Sequence, residues 1–154
     1  MSDASDPEGR FMVAVGAVIE HVPTGRILLM QRAASADYLP GVWEDLTGRM
    51  KQFEEPEDAL RREVREETCL EIEIVKPIKI FHLYRGDKTA QNELVGIIYW
   101  CTTQSDRITL SPEHDAYRWL PPHEALDMVD DPGIRGDIEA FIAEHGGEHH
   151  GRRP

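Results

Sequence analysis

Apolar and polar positions change their period several times along the chain, and the first change predicts a hairpin. Residues 11–19 and 26–31 are apolar runs of strand length, separated by the turn-forming Pro23 and Gly25. Such a pattern predicts two antiparallel strands joined by a tight turn. Residues 33–46, which contain glycine and proline, predict a loop after the second strand.

The rest of the chain alternates helical and strand patterns. Residues 56–68 contain strong helix formers, with proline only where a first turn tolerates it and no glycine, so they predict a helix. Strands rich in β-branched and aromatic residues are predicted at 72–83, 94–103 and 117–120. Two further helices are predicted, one opening at Pro121 and one over residues 133–144. Strands mixed with helices in this way favour a mixed sheet covered by helices.

Residues 1–10 and 146–154 lack apolar periodicity and carry glycine, proline and charge. We therefore predict disordered tails on either side of one folded domain over residues 11–145. A chain of 154 residues is of the usual size for one domain.

Composition predicts a folded, cytoplasmic protein. Hydrophobic residues make up 40% of the chain and charged residues 30%, and no apolar run approaches the roughly 20 residues that span a bilayer. The first residues are acidic and polar, unlike a secretory signal. Cys69 and Cys101 are too few and too far apart for a disulfide framework, so we expect reduced, buried thiols.

The formal net charge of -12 argues against binding of long nucleic acids, because that mode needs a basic face. A small phosphate-bearing substrate remains compatible with an acidic protein if divalent cations supply positive charge at the site.

The predicted helix carries a cluster of carboxylates. Glu63, Glu66 and Glu67 stand at i, i+3 and i+4 and share one face, close to the apolar position of Leu60. A solvated surface laced with ion pairs is the simpler interpretation of a helix rich in Glu and Arg. Carboxylates placed beside the apolar stripe, however, repel one another unless a cation lies between them, and oxygen ligands suit Mg²⁺ or Mn²⁺.

The spacing around this helix resembles the Nudix box. The family pattern has glycine, five residues, glutamate, seven residues, then Arg-Glu, an aliphatic residue, any residue, Glu-Glu, any residue, glycine and an aliphatic residue. The chain matches it from Gly48 to Leu70 at every fixed position except Cys69. Upstream, Arg32 and the Trp43-Glu44 pair resemble MutT-like members, and residues 113–120 resemble dinucleoside polyphosphate hydrolases.

This resemblance implies an α/β (α+β) fold, a Nudix-type α/β/α sandwich with a mixed β-sheet. It implies an enzyme that uses water to cut a diphosphate linkage in a nucleoside diphosphate derivative. A nucleoside triphosphate, a dinucleoside polyphosphate and a nucleotide sugar all remain candidate substrates. The implied cofactor is Mg²⁺ or Mn²⁺.

The resemblance also implies roles for individual residues, carried over position by position. The implied metal ligands are Gly48, through its carbonyl, Glu63, Glu66 and Glu67. Glu66 and Glu113 are the implied catalytic residues, and Arg32 is the implied phosphate contact. Glu54 and Arg62 would orient the metal ligands.

Three positions often held by glycine in the family are occupied by Thr47, Phe53 and Cys69. If Cys69 needs a positive φ, the side chain costs on the order of 1 kcal/mol. Tyr38 could stack on a base or pack in the core. A non-catalytic nucleotide sensor and an isomerase are alternative functions for such a fold. The substrate, the preferred metal and the oligomeric state, a homodimer included, stay open.

Overall fold

The structure is a computed structural model that describes residues 8–151, with the side chains of residues 8–146. Its strands are β1 Met12–His21, β2 Arg26–Arg32, β3 Trp43–Glu44, β4 Leu46–Arg49, β5 Glu73–Tyr84, β6 Glu93–Thr103 and β7 His114–Leu120. Its helices are α1 Pro56–Thr68, α2 Pro122–Met128 and α3 Pro132–Gly151, with a short 3-10 turn at Ala90–Asn92.

The strands form one mixed sheet around β1. β1 pairs in parallel with β6 and antiparallel with β2 and β4. β3 and β7 pair antiparallel with β2, and β5 pairs antiparallel with β6. The predicted hairpin is confirmed, with Gly25 at a φ of 72° in its turn. The mixed character of the predicted sheet is confirmed as well.

The helices cover both faces of this sheet. Because side chains alternate along a strand, Val15 and Ala17 of β1 pack on the α1 side, against Leu60 and its neighbours. Val18 packs on the opposite side, against Phe141 of α3. The predicted α/β/α sandwich is therefore confirmed, with a core on each face of the sheet.

A short strand, β3, lies inside the loop predicted over residues 33–46, and a second, β4, begins at the last residue of that loop. β3 and β4 have two and four residues, too few to show a period of their own. They form because β2 and β1 offer backbone partners, with Met30 opposite Glu44 and Val15 opposite Gly48. β7 likewise begins at His114 rather than at residue 117.

The last helix is longer than predicted. α3 continues to Gly151, past the predicted end at residue 144 and through residues 146–151 of the predicted tail. His145 anchors this end, because its ring packs on Trp100 and Phe141 and its Nε2 lies 2.7 Å from the Glu20 carboxylate. Residues 1–7 and 152–154 of the predicted tails lie outside the described residues.

Within residues 8–151, the helices are all too short or too polar to cross a membrane.

Cys69 is exposed, whereas we predicted a buried thiol; Cys101 is buried. Cys69 caps α1 in the left-handed conformation, with a φ of 62°, and this turns its side chain away from the core. Phe53, before the helix, has a φ of 71° and is also exposed. Both residues therefore adopt backbone conformations that glycine adopts without strain.

Candidate metal and active site

The glutamate cluster is held against the sheet by the apolar face of α1. Leu60 and Val64 of this helix are fully buried. Residues that neighbour them around the helix are therefore drawn inward. The side chain of Glu67 is buried and that of Glu63 is 13% exposed, whereas that of Glu66 is 51% exposed. The predicted placement of carboxylates beside the apolar stripe is confirmed for Glu63 and Glu67.

Arg62 organises the carboxylates around it. Its Nε and Nη2 donate to the two carboxylate oxygens of Glu54 at 2.7 and 2.8 Å. Its Nη1 donates to Glu63 at 2.9 Å and to Glu66 at 3.2 Å, and Nη2 also reaches the carbonyl oxygen of Arg49 at 3.0 Å. The hydrogen bonds from Arg62 hold the pKa of Glu54 at about 2. One guanidinium thus holds the loop between β4 and α1, two glutamates of α1 and the end of β4 in place.

Gly48 lies directly against Glu63. A Cβ atom at this position would overlap the Glu63 carboxylate. The glycine is therefore required by close packing, since its φ is not positive. This packing brings the end of β4 and the helix together at the predicted site.

Glu67 faces the other side of the site. Its Oε2 accepts a hydrogen bond from Ser111 Oγ at 2.8 Å and one from His114 Nδ1 at 3.1 Å. His114 Nε2 donates to Glu44 at 2.9 Å, and Arg32 Nη1 donates to the same Glu44 oxygen at 3.3 Å. A continuous polar chain therefore runs from the end of β2 to the glutamate helix.

The charges along this chain support one another. Burial alone would lower the pKa of His114, but its hydrogen bonds to Glu44 and Glu67 raise it to about 9. The ring is therefore an imidazolium at neutral pH, and both of its nitrogens donate. Burial would raise the pKa of Glu67, yet the hydrogen bonds from His114, Glu113 and Ser111 lower it.

Glu113 meets Glu67 carboxyl to carboxyl. The hydrogen bond to Glu67, followed by burial, raises the pKa of Glu113. Burial likewise raises the pKa of Glu63, and the charges of Glu66 and Glu67 add to that effect. These acids are crowded by negative charge that Arg62 and His114 offset only in part.

Within residues 8–151, no three His, Cys, Asp or Glu side chains already stand together as a set of metal ligands. Arg62 engages Glu63 and Glu66, and His114 engages Glu67. The donor set nevertheless fits a hard divalent cation, because it consists of carboxylate oxygens under mutual repulsion.

The structure brings together most of the residues singled out from the sequence. Glu54, Arg62, Glu63 and Glu66 form one hydrogen-bonded group with Gly48 packed on it. Glu67 and Glu113 form the second group. Arg32 reaches that group only through Glu44 and His114, and its Nε donates to the carbonyl oxygen of Tyr38 at 2.7 Å.

Sequence reasoning missed His114 and Ser111. Their partner Glu67 is 47 and 44 residues away along the chain, so no local spacing reveals the contacts. The one signal in the sequence is that His114 directly follows Glu113, a candidate catalytic residue. A histidine in an ordinary turn would give the same pattern.

A pocket of about 330 Å³ lies at the end of β4. Arg49, which follows Gly48 in β4, is one of its walls. The Arg85 guanidinium lies over the Tyr38 ring, 4.6 Å from its centroid, and both residues line the pocket, as do Met12, Asp37, Gln91 and Asn92. The pocket therefore presents two guanidinium groups, one of them stacked on Tyr38.

Comparison with known proteins places this geometry in a family. The family model of the NUDIX domain matches residues 10–140. The chain is 29% identical over 134 residues to a CTP pyrophosphohydrolase of Escherichia coli (strain K12), covering 87% of this chain and 93% of that protein.

Two further similarities have a narrower meaning. An octanoyltransferase of Myxococcus xanthus is 29% identical over 134 residues, but the match covers only 36% of that protein and 85% of this chain. The crystal structure of a MutT protein from Methanosarcina mazei Go1 superposes with a TM-score of 0.73 at 23% identity, over 91% of this chain and 99% of that one, which shows the shared fold. Since the NUDIX model spans most of the chain and contains the glutamate helix, the chain belongs to the Nudix family.

Proposed function

We propose that this chain is a pyrophosphohydrolase that uses Mg²⁺ or Mn²⁺ to hydrolyse a diphosphate linkage in a nucleoside diphosphate derivative. The observation that carries the proposal is the set of Glu63, Glu66 and Glu67 on one face of α1, inside the segment that matches the family. Arg62 holds Glu63 and Glu66, and His114 holds Glu67. The relative named as a CTP pyrophosphohydrolase supports nucleoside triphosphates as the first substrate class to test, ahead of dinucleoside polyphosphates and nucleotide sugars.

The carboxylates of Glu63, Glu66 and Glu67 and the carbonyl of Gly48 would hold the cation. Once bound, a divalent cation neutralises charge that develops on the phosphate oxygens and lowers the pKa of a water molecule it carries. Arg62 supports this arrangement by keeping Glu63 and Glu66 in one orientation, with its own position set by Glu54.

Glu66 and Glu113 are the candidates for the group that takes a proton from the attacking water. The Glu66 side chain is half exposed, so water reaches it directly. The contact with Glu67 raises the pKa of Glu113, and a carboxylate with a raised pKa is a stronger base toward water than an ordinary carboxylate.

Arg32 is the candidate for contact with a phosphate. Its Nε and Nη1 are engaged by Tyr38 and Glu44. A guanidinium has five N–H donors, so Nη2 keeps donors for a phosphate oxygen while the other two nitrogens hold the side chain in place.

The pocket beside Gly48 supports a substrate with a base. Its volume of about 330 Å³ is within the range of small-molecule sites. The Arg85 guanidinium, held over the Tyr38 ring, is a flat cation on which a nucleobase can stack, and guanidinium groups donate to ring carbonyls and phosphates. A nucleotide could thus place its base here and its phosphates over the glutamates.

The test is release of phosphate or nucleotide from nucleoside triphosphates, dinucleoside polyphosphates and nucleotide sugars with Mg²⁺, Mn²⁺ or EDTA. Wild type is compared with Glu67→Gln and with the control Glu57→Gln, which changes an exposed glutamate in the first turn of the same helix. We expect turnover that needs metal, falls by at least about 100-fold in Glu67→Gln and is retained in Glu57→Gln.

Nucleotide binding by folded protein without metal-dependent turnover of any of these substrates would refute the hydrolase. That outcome would favour a non-catalytic nucleotide sensor.

A further inference from the structure

We propose that His114 is the positioning residue for Glu67, and that the Arg32–Glu44 pair in turn orients His114. The inference rests on the proposed function, in which Glu67 is a metal ligand. It adds a set of hydrogen bonds, from residues of β2, β3 and β7, that fixes the orientation of the Glu67 carboxylate.

The hydrogen bonds on Glu67 show how its direction is fixed. Ser111 Oγ and His114 Nδ1 converge on the same carboxylate oxygen, Oε2, at 2.8 and 3.1 Å. The carboxylate cannot rotate about its terminal bond without losing both donors. An oriented carboxylate binds a cation with less loss of conformational freedom than a mobile one.

Two donors likewise converge on one carboxylate oxygen of Glu44. Its Oε2 accepts from His114 Nε2 at 2.9 Å and from Arg32 Nη1 at 3.3 Å. The side chains of His114, Glu44 and Glu67 are 4%, 9% and 7% exposed. Since water does not compete at such burial, each donor that is removed leaves its carboxylate one hydrogen bond short.

The sheet explains why these residues meet. Glu44 and His114 lie on β3 and β7, which both pair with β2. The register between β2 and β7 shifts between Gln31 and Arg32, so that Arg32 lies opposite His114. Register shifts of this kind redirect side chains, and here His114 lies between the strand and the glutamate helix.

Two isosteric variants separate the two ring contacts. The amide nitrogen of asparagine matches His Nδ1 in reach, and that of glutamine matches Nε2. His114→Asn therefore keeps a donor for Glu67, and His114→Gln keeps one for Glu44. We would titrate Mn²⁺ by electron paramagnetic resonance, measure kcat and KM with the substrate found above, and record Tm for each protein.

We expect His114→Gln to weaken Mn²⁺ binding by about 10–100-fold, with a fall in kcat larger than any change in KM. His114→Asn should stay within about threefold of wild type in Mn²⁺ affinity, at a similar Tm to His114→Gln. Equal Mn²⁺ affinities in the two variants, or losses that follow Tm alone, would overturn the inference.

If either histidine variant does not fold, Ser111→Ala removes the other donor to Oε2 at a less buried position. It should weaken Mn²⁺ binding by at least about threefold, and an unchanged affinity would count against the proposal. A wild type that neither binds Mn²⁺ nor turns over any substrate would refute the proposed function itself. A wild type that does both, with equivalent histidine variants, would refute only the role of His114.

Discussion

Replacing Asp45 with asparagine should stabilise the protein at neutral pH. Asp45 follows β3, its side chain is buried, and neither carboxylate oxygen has a hydrogen-bond donor among the described residues. The buried Asp137 of α3 lies beside it and is itself paired with Lys79 at 2.8 Å. Burial first, and then the charge of Asp137, raise the pKa of Asp45 well above its usual value.

The sign of the pH dependence follows from that direction. Folded Asp45 holds its proton more tightly than the unfolded chain does, so its contribution to stability is complete below the unfolded pKa of about 3.9. The contribution is lost as the pH rises through the folded pKa. Each unit of separation between the two pKa values amounts to about 1.4 kcal/mol.

Asparagine removes this loss because it is neutral at every pH, and its amide can donate to Asp137. We expect Asp45→Asn to raise the free energy of unfolding by about 1–3 kcal/mol at pH 8, the usual penalty for a buried polar group without a partner. For a protein of this size, each kcal/mol corresponds to about 2–4 °C in Tm. The gain should shrink as the pH falls toward 4.

The assay is urea unfolding of wild type and Asp45→Asn between pH 4 and pH 8, with Asp130→Asn as a control at an exposed aspartate. Taking the difference between variant and wild type removes the titration of the other carboxylates. A variant that is less stable at every pH, or a difference that does not change with pH, would refute the reasoning and show that ionised Asp45 stabilises the fold.

Two further predictions concern α1 and its ends. Arg62→Lys should lower kcat by about 10–100-fold. An ammonium group cannot hold Glu54 with two parallel hydrogen bonds and also reach Glu63 and Glu66. Activity equal to wild type in Mn²⁺ assays would contradict this role. Cys69→Gly should raise the free energy of unfolding by about 1 kcal/mol, because glycine adopts the φ of 62° without strain. The control Cys69→Ala keeps the Cβ atom, so its Tm in thermal unfolding should not exceed that of wild type.

The sequence predicted the elements that are determined by residues near one another in the chain. The bounds predicted for α1 agree with the structure because Pro56 defines its first turn and no glycine interrupts it. β3 and β4 could not be predicted, since their backbone partners lie on other strands. The length of α3 depends on the contact of His145 with Trp100, 45 residues before it in the chain.

The same distinction applies to the site. The spacing of Glu63, Glu66 and Glu67 predicts a shared face, and the structure has it. The contacts of His114 with Glu67 and Glu44 join residues 47 and 70 positions apart, so they depend on the sheet topology rather than on any motif.

Glu44 and Asp45 are adjacent buried acids that face opposite sides of the sheet and have different roles. Successive side chains of extended backbone point to opposite sides, so Glu44, the last residue of β3, faces His114 and Asp45, directly after it, faces Asp137 of α3. Glu44 receives donors from Arg32 and His114, so its burial serves the site. Asp45 receives none. A variant that neutralises Asp45 should therefore gain stability without changing Mn²⁺ affinity, whereas one that neutralises Glu44 should weaken Mn²⁺ binding, because the two side chains act on opposite faces of the same sheet.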